Sequence, residues 1–169
     1  MFRFLVFVCA LVVGAAAGVG ATTFEAVSFD DLVTQADVIF VGDVVDVHPY
    51  LLQTRDRTIV KTRVTFRVDD PVYGTSSLVE VFDFLGGETA ELGMHVEGMP
   101  TFTVGDHRMV FARRDRSINP IVGFTQGLMK VARDGNGVDR VLTLDGAQVA
   151  RLSDFRSRVM GGLMQARKK

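Results

Sequence analysis

From Thr22 to its end the chain holds 22 valines, 4 isoleucines and 13 threonines, against only 8 alanines. Branching at Cβ restricts χ1 in a helix and packs well on a pleated surface, so this stretch is pushed toward β-sheet. It also has no cysteine, the one cysteine being Cys9. Disulfides, zinc–thiolate centres and a cysteine nucleophile are thereby excluded from it, and an apolar core must hold the fold. A chain of about 150 residues suffices, because it buries roughly 70% of the surface its unfolded form exposes.

The first 21 residues are built differently. Met1-Phe2-Arg3 carries one positive charge, Phe4 to Val13 is an unbroken apolar run, and small residues dominate from Gly14 to Ala21. That is the layout of a secretory signal peptide, with Val19-Gly20-Ala21 placing the cut after Ala21. The expected organisation is therefore a signal peptide over residues 1–21 and one β-barrel domain with a C-terminal helix over residues 22–169, secreted or periplasmic. Left uncleaved, the uncharged stretch from Phe4 to Phe24 would be long enough to anchor the chain in a membrane. The formal net charge of -1, from 19 basic and 20 acidic side chains, lacks the basic excess of a general nucleic-acid binder.

Along the chain, Ser28-Phe29-Asp30-Asp31 offers a capping hydroxyl and an acid three residues on, and predicts a short helix ending near Asp37. Val38 to Val47 reads as a strand with a bulge or bend near Gly42, closed by His48-Pro49. Thr58 to Asp69 alternates most cleanly: Val60, Val64, Phe66 and Val68 on one face, Lys61, Arg63, Thr65 and Arg67 on the other. After an exit turn at Asp70-Pro71, strands are expected over Leu78 to Leu85, Arg108 to Ala112, Ile121 to Arg133 and Val138 to Leu142. Asp134-Gly135-Asn136-Gly137 joins the last two as a tight hairpin. Leu152, Phe155, Val159 and Leu163 then fall along one face of a closing helix. Five or six curved strands with glycine bends and two helices fit a small OB-like barrel better than a seven-stranded sandwich.

Several short motifs also carry a resemblance. Ala36 to Val44, Phe66-Arg67-Val68 with Val72-Tyr73-Gly74, and Val104-Gly105-Asp106 running into Val110-Phe111 resemble a family of uncharacterised exported bacterial domains. Those in turn resemble the OB-like barrel of netrin and tissue-inhibitor-of-metalloproteinase (TIMP) modules. The resemblance implies the barrel and an inhibitor-like or protein-binding role, a protease being one partner of that kind. It does not bring the inhibitors' mechanism with it, since they use a cysteine-bearing N-terminus and the chain beyond Ala21 has none.

No catalytic signature is present: G-x-S-x-G, GK[ST], H-E-x-x-H and dinucleotide fingerprints are all missing. His48, His95 and His107 lie too far apart in sequence to form a local metal pair. Asp134 to Asp139 has some of the oxygen spacing of a calcium loop, but Val138 and Asp139 stand at the fifth and sixth positions, and a hairpin turn accounts for it. No metal or cofactor is expected. The basic stripe of Lys61, Arg63 and Arg67 lacks the interleaved aromatic platforms that single-stranded nucleic acid needs. Arg151, Arg156, Arg158, Arg167, Lys168 and Lys169 make one side of the last helix basic.

The turn-rich stretch from Gly86 to Asp106 is longer than compact domains usually keep without reason. Met94, His95, Met99 and Phe102 in it are the candidate anchors for another exported protein, and the alternative is that they cover an open end of the barrel. The expected role is a non-enzymatic exported binding module. A structural part of an envelope assembly, or an enzyme with a site built from His95, His107 and nearby acids, are the competing readings.

Overall fold

The computed structural model describes residues 26–116 and 118–168. The signal peptide expected over residues 1–21 lies outside the described residues. Among those described, no helix is long and apolar enough to cross a membrane.

Helix α1 (Phe29–Gln35) starts as its sequence dictates, with the Asp31 N–H donating to Ser28 Oγ at 3.1 Å. Strands β1 (Val38–Gln53), β2 (Thr58–Tyr73) and β3 (Val79–Leu85) form an antiparallel meander. A small hairpin of β4 (Gly87–Glu88) and β5 (Gly93–Met94) follows. The chain then returns as β6 (His107–Ala112) on the free side of β1, and continues through β7 (Leu128–Arg133), β8 (Asp139–Leu142) and β9 (Gln148–Arg151) into α2 (Leu152–Ala166). The large sheet runs β3-β2-β1-β6-β7-β8-β9. Within it β6-β1-β2-β3 is a Greek key, the fourth strand returning beside the first of three. The mainly β class and the two helices match the sequence reading, while the large sheet has seven strands where five or six were expected. The sheet is open, with β3 and β9 each paired on one side.

Burial explains why β1 sits in the middle. Val38, Ile39, Phe40 and Val41 are all buried, so this strand faces apolar layers on both sides. On one face, Ile39 and Val41 join Phe111, Val131 and Val141 beneath Leu32 and Val33 of α1 and Phe155, Val159 and Leu163 of α2. On the other, Phe40, Val44, Val64, Phe66, Phe82, Phe84 and Val110 make a second core. The rings of Phe40 and Phe66 meet edge to face at 5.5 Å. The last helix is latched by its basic side: Arg156 pairs with Asp70 at 2.8 Å, and the Arg158 guanidinium lies 4.5 Å from the Phe29 ring centre.

Several boundaries differ from the sequence reading, for physical reasons. Strands β1 and β2 run on through Pro49 and Pro71 instead of stopping there. Pairing of β1 with β6 ends at Asp43 and pairing of β2 with β3 ends at Arg67, so each proline lies where its strand has a single neighbour, a setting in which a sheet tolerates a residue without an N–H. Ile121 to Gly127 is not strand: Ile121 makes one bridge to Ala112, Gly123 and Phe124 have φ of 62° and 63°, and the ladder begins at Leu128. Strand β9 carries no alternation that marks it in advance, and Ala150 alone of its side chains packs on the core. The expected bend near Gly42 is present as a register shift between Val41 and Gly42, where a Cβ on Gly42 would stand 2.2 Å from the Arg67 carbonyl oxygen.

The alternation of β2 yields a direct test. Phe66 is fully buried and Arg67 points to solvent. Phe66→Ala is expected to cost about 3 to 5 kcal/mol in urea melts, and Arg67→Ala to stay within about 0.5 kcal/mol. Equal costs would mean that the strand register is misread.

Candidate functional site

The Gly86 to Asp106 segment folds over the second core and leaves a cleft of about 740 Å³ beneath it. Its floor is Val47 and Pro49 of β1, Thr62 of β2 and Phe84 of β3, and its walls include Met94, His95, Val96, Met99 and Phe102. The four residues singled out from sequence therefore share one cavity. They are not equivalent in it. The Phe102 ring packs 4.7 Å from that of Phe84 and 5.7 Å from that of Phe66, so it seals the core as well as lining the cleft. Met94 and Met99 are half-buried on the wall, and His95 is exposed.

Backbone hydrogen bonds fix both ends of the segment. At the start, Gly86 N–H donates to the Val60 carbonyl at 2.8 Å, and Thr62 Oγ1 donates to the Gly86 carbonyl at 2.7 Å. Gly87 has φ of 133°, and a Cβ there would stand 2.2 Å from Thr62 Oγ1, so glycine is what allows the loop to lie this close to β2. At the far end, Gly105 N–H donates to the Val44 carbonyl and Val44 N–H to the Asp106 carbonyl, at 2.8 and 2.9 Å. Asp106 also accepts from Thr103 N–H and from buried Arg108. Burial works to raise the Asp106 carboxyl, and these bonds outweigh it and hold the group below its ordinary range. The cleft is thus built on a pinned loop.

A second group of polar side chains lies on the other sheet face, beyond the ends of the helices. Asp43 stands opposite Arg67 on β2 and opposite His107 on β6. His107 Nδ1 is 2.6 Å from Asp43 Oδ1 and 3.7 Å from Asp69 Oδ2, while Arg67 reaches Asp43 Oδ2 and, at 3.2 Å, Asp69 Oδ1. The acid next to His107 in the chain is Asp106, which is engaged by Thr103 and Arg108. The carboxylates that face His107 are instead Asp43, on the adjacent strand β1, and Asp69, on β2 beyond it. His95 and His107 face different sides of the sheet, so the structure does not gather them into one site. The Asp134 turn is the expected hairpin, its carboxylate accepting from the N–H groups of Asn136 and Val138.

Two members of the basic stripe on β2, Arg63 and Arg67, are paired within the fold. Arg63 pairs with Asp83 at 2.9 and 3.2 Å and lies over the Tyr50 ring, and Arg67 is held by Asp43 and Asp69. A scan of protein-family models, a search of curated proteins and a search of solved structures each find no match to this chain.

Asp83 gives a pH prediction. Burial pushes its carboxyl up, but hydrogen bonds from Arg63 and Tyr50 outweigh this and hold it below the ordinary value. A depressed folded value means that the stabilisation is present above the ordinary carboxyl range and is lost as pH falls through the depressed one. Carbon-13 NMR titration is expected to place the Asp83 midpoint below that of an unfolded aspartate, and Arg63→Ala to move it upward. An unmoved midpoint would show that the Arg63 pair does not set it.

Proposed function

We propose that this chain is an exported, non-enzymatic binding module that takes an extended apolar stretch of another exported protein into the cleft beneath Gly86 to Asp106. The observation that supports it is the cleft itself, about 740 Å³ with Met94, His95, Met99 and Phe102 on its walls. Thioether side chains are unbranched and polarisable, and adapt to an apolar partner without a fixed shape. The one hydroxyl on the floor, Thr62, is already committed to the Gly86 carbonyl. Glu88, His95 and Thr101 are the other polar side chains of a lining that is otherwise apolar or glycine, which favours apolar contact with a polar edge.

The finer fold assignment belongs to the same reading. The Greek-key order β6-β1-β2-β3 and the register shifts that coil β1 support an OB-like, netrin- or TIMP-like barrel opened between its edges. By that resemblance a protease is a partner of the right class. Recognition would rest on the cleft, in place of a cysteine-borne N-terminus.

The cleft walls separate binding from stability. Met94→Ser with Met99→Ser is expected to abolish capture of a discrete partner from the secreted fraction of the producing cell, with the melting transition within a few degrees of wild type. Phe102→Ala is expected to lower the melting temperature, because its ring seals the core. Capture that is equal in wild type and the double variant would reject the cleft as the contact site.

Export has its own check. Mass spectrometry of secreted protein is expected to show a chain beginning near Thr22. Secreted-fraction protein that retains Phe4 would overturn cleavage and make the chain membrane-anchored.

A further inference from the structure

Asp43, Asp69 and His107 come from three adjacent strands and sit on the sheet face opposite the cleft. Their donor atoms all lie within 4.8 Å of one another. Each carboxylate divides its two oxygens in the same way. Arg67 takes the outer ones, Asp43 Oδ2 and Asp69 Oδ1, and the inner ones, Asp43 Oδ1 and Asp69 Oδ2, face His107 Nδ1 at 2.6 and 3.7 Å. Two ligands on a tetrahedral zinc ion, at metal distances near 2 Å, stand about 3.3 Å apart. The two imidazole–carboxylate separations lie on either side of that value, the shorter being a hydrogen bond whose proton an incoming ion would displace. All three residues are partly exposed, so an ion has a path from solvent.

We propose that Asp43, Asp69 and His107 bind a divalent first-row transition ion of the zinc class. The donor set argues for that class: an imidazole nitrogen suits zinc, nickel or copper, whereas calcium seeks six to eight oxygens and magnesium a near-octahedral oxygen shell. Two carboxylates against one guanidinium leave the cluster with a charge of about -1 when His107 is neutral, which attracts a dication. Arg67 is the outer partner that holds each carboxylate with its inner oxygen turned toward the site, the role usual for groups behind metal ligands. Three protein donors leave one position open to water or to a side chain of another molecule. The site is independent of the cleft, and either can fail without the other.

The test is calorimetric titration of the untagged secreted protein with zinc sulfate and, separately, with calcium chloride, alongside NMR of the histidine rings. One zinc ion per chain is expected, with shifts of the His107 ring signals. His107→Gln and Asp69→Asn are each expected to weaken zinc binding by at least about tenfold. His48→Ala and His95→Ala are expected to leave it unchanged. Absence of zinc binding, wild-type affinity in the His107 or Asp69 variant, or calcium binding as tight as zinc would each overturn the assignment. The ring signals of the unmodified protein decide the matter even where a variant folds poorly.

Discussion

Burial of β1 on both faces is the constraint from which the rest of the structure follows. A strand with Val38, Ile39, Phe40 and Val41 all inaccessible to solvent cannot lie at an edge, so it must be flanked by β2 and β6 and covered above and below. Two helices supply one cover, their apolar stripes meeting Ile39 and Val41. The other cover is irregular chain, with Phe102 and Ile121 closing over Phe40 and its neighbours. The long Gly86 to Asp106 segment is therefore part of the core's architecture as well as a surface feature. Its cleft is what remains where that cover does not reach the far ends of β1 and β2.

This arrangement also separates the two candidate sites. Val38, Phe40 and Val44 face the irregular cover, Ile39 and Val41 face the helices, and Asp43 follows on the side of Ile39 and Val41 by strand alternation. The cleft belongs to the first set and the Asp43, Asp69 and His107 group to the second. The helix-covered face is apolar under α1 and α2 and becomes charged where they end. A sheet face that changes character along its strands presents polar groups on a rigid support, which loops alone do not provide.

The parts legible in the sequence are those that depend on local pattern. The period-2 alternation of Val60 to Val68, the cap at Ser28, the spacing of Phe155, Val159 and Leu163, and the Asp134 turn all come from residues within a few positions of one another. Prolines misled because their effect depends on whether a strand has a second neighbour, which is a tertiary fact, and so β1 and β2 run several residues further than the local signal suggests. The four loop residues could be picked out by the length of the segment and its glycines, though not the division between Phe102, which seals, and Met94 and Met99, which line the wall. The group around His107 was out of reach: Asp43 meets Arg67 across 24 positions and His107 across 64. Only the register of the sheet makes them neighbours.

Gly42 ties these threads together. It has no side chain, yet its hydrogen lies where a methyl group would strike the carbonyl of Arg67, the residue whose guanidinium braces both carboxylates. The gap between β1 and β2 at this level is thus gauged by an atom that is missing, and a larger residue there would wedge the strands apart. The spacing of Asp43 from Asp69 would change with no charged group replaced. In relatives of this chain, a glycine at this position would then travel with the acids it spaces, as a silent member of the same constellation.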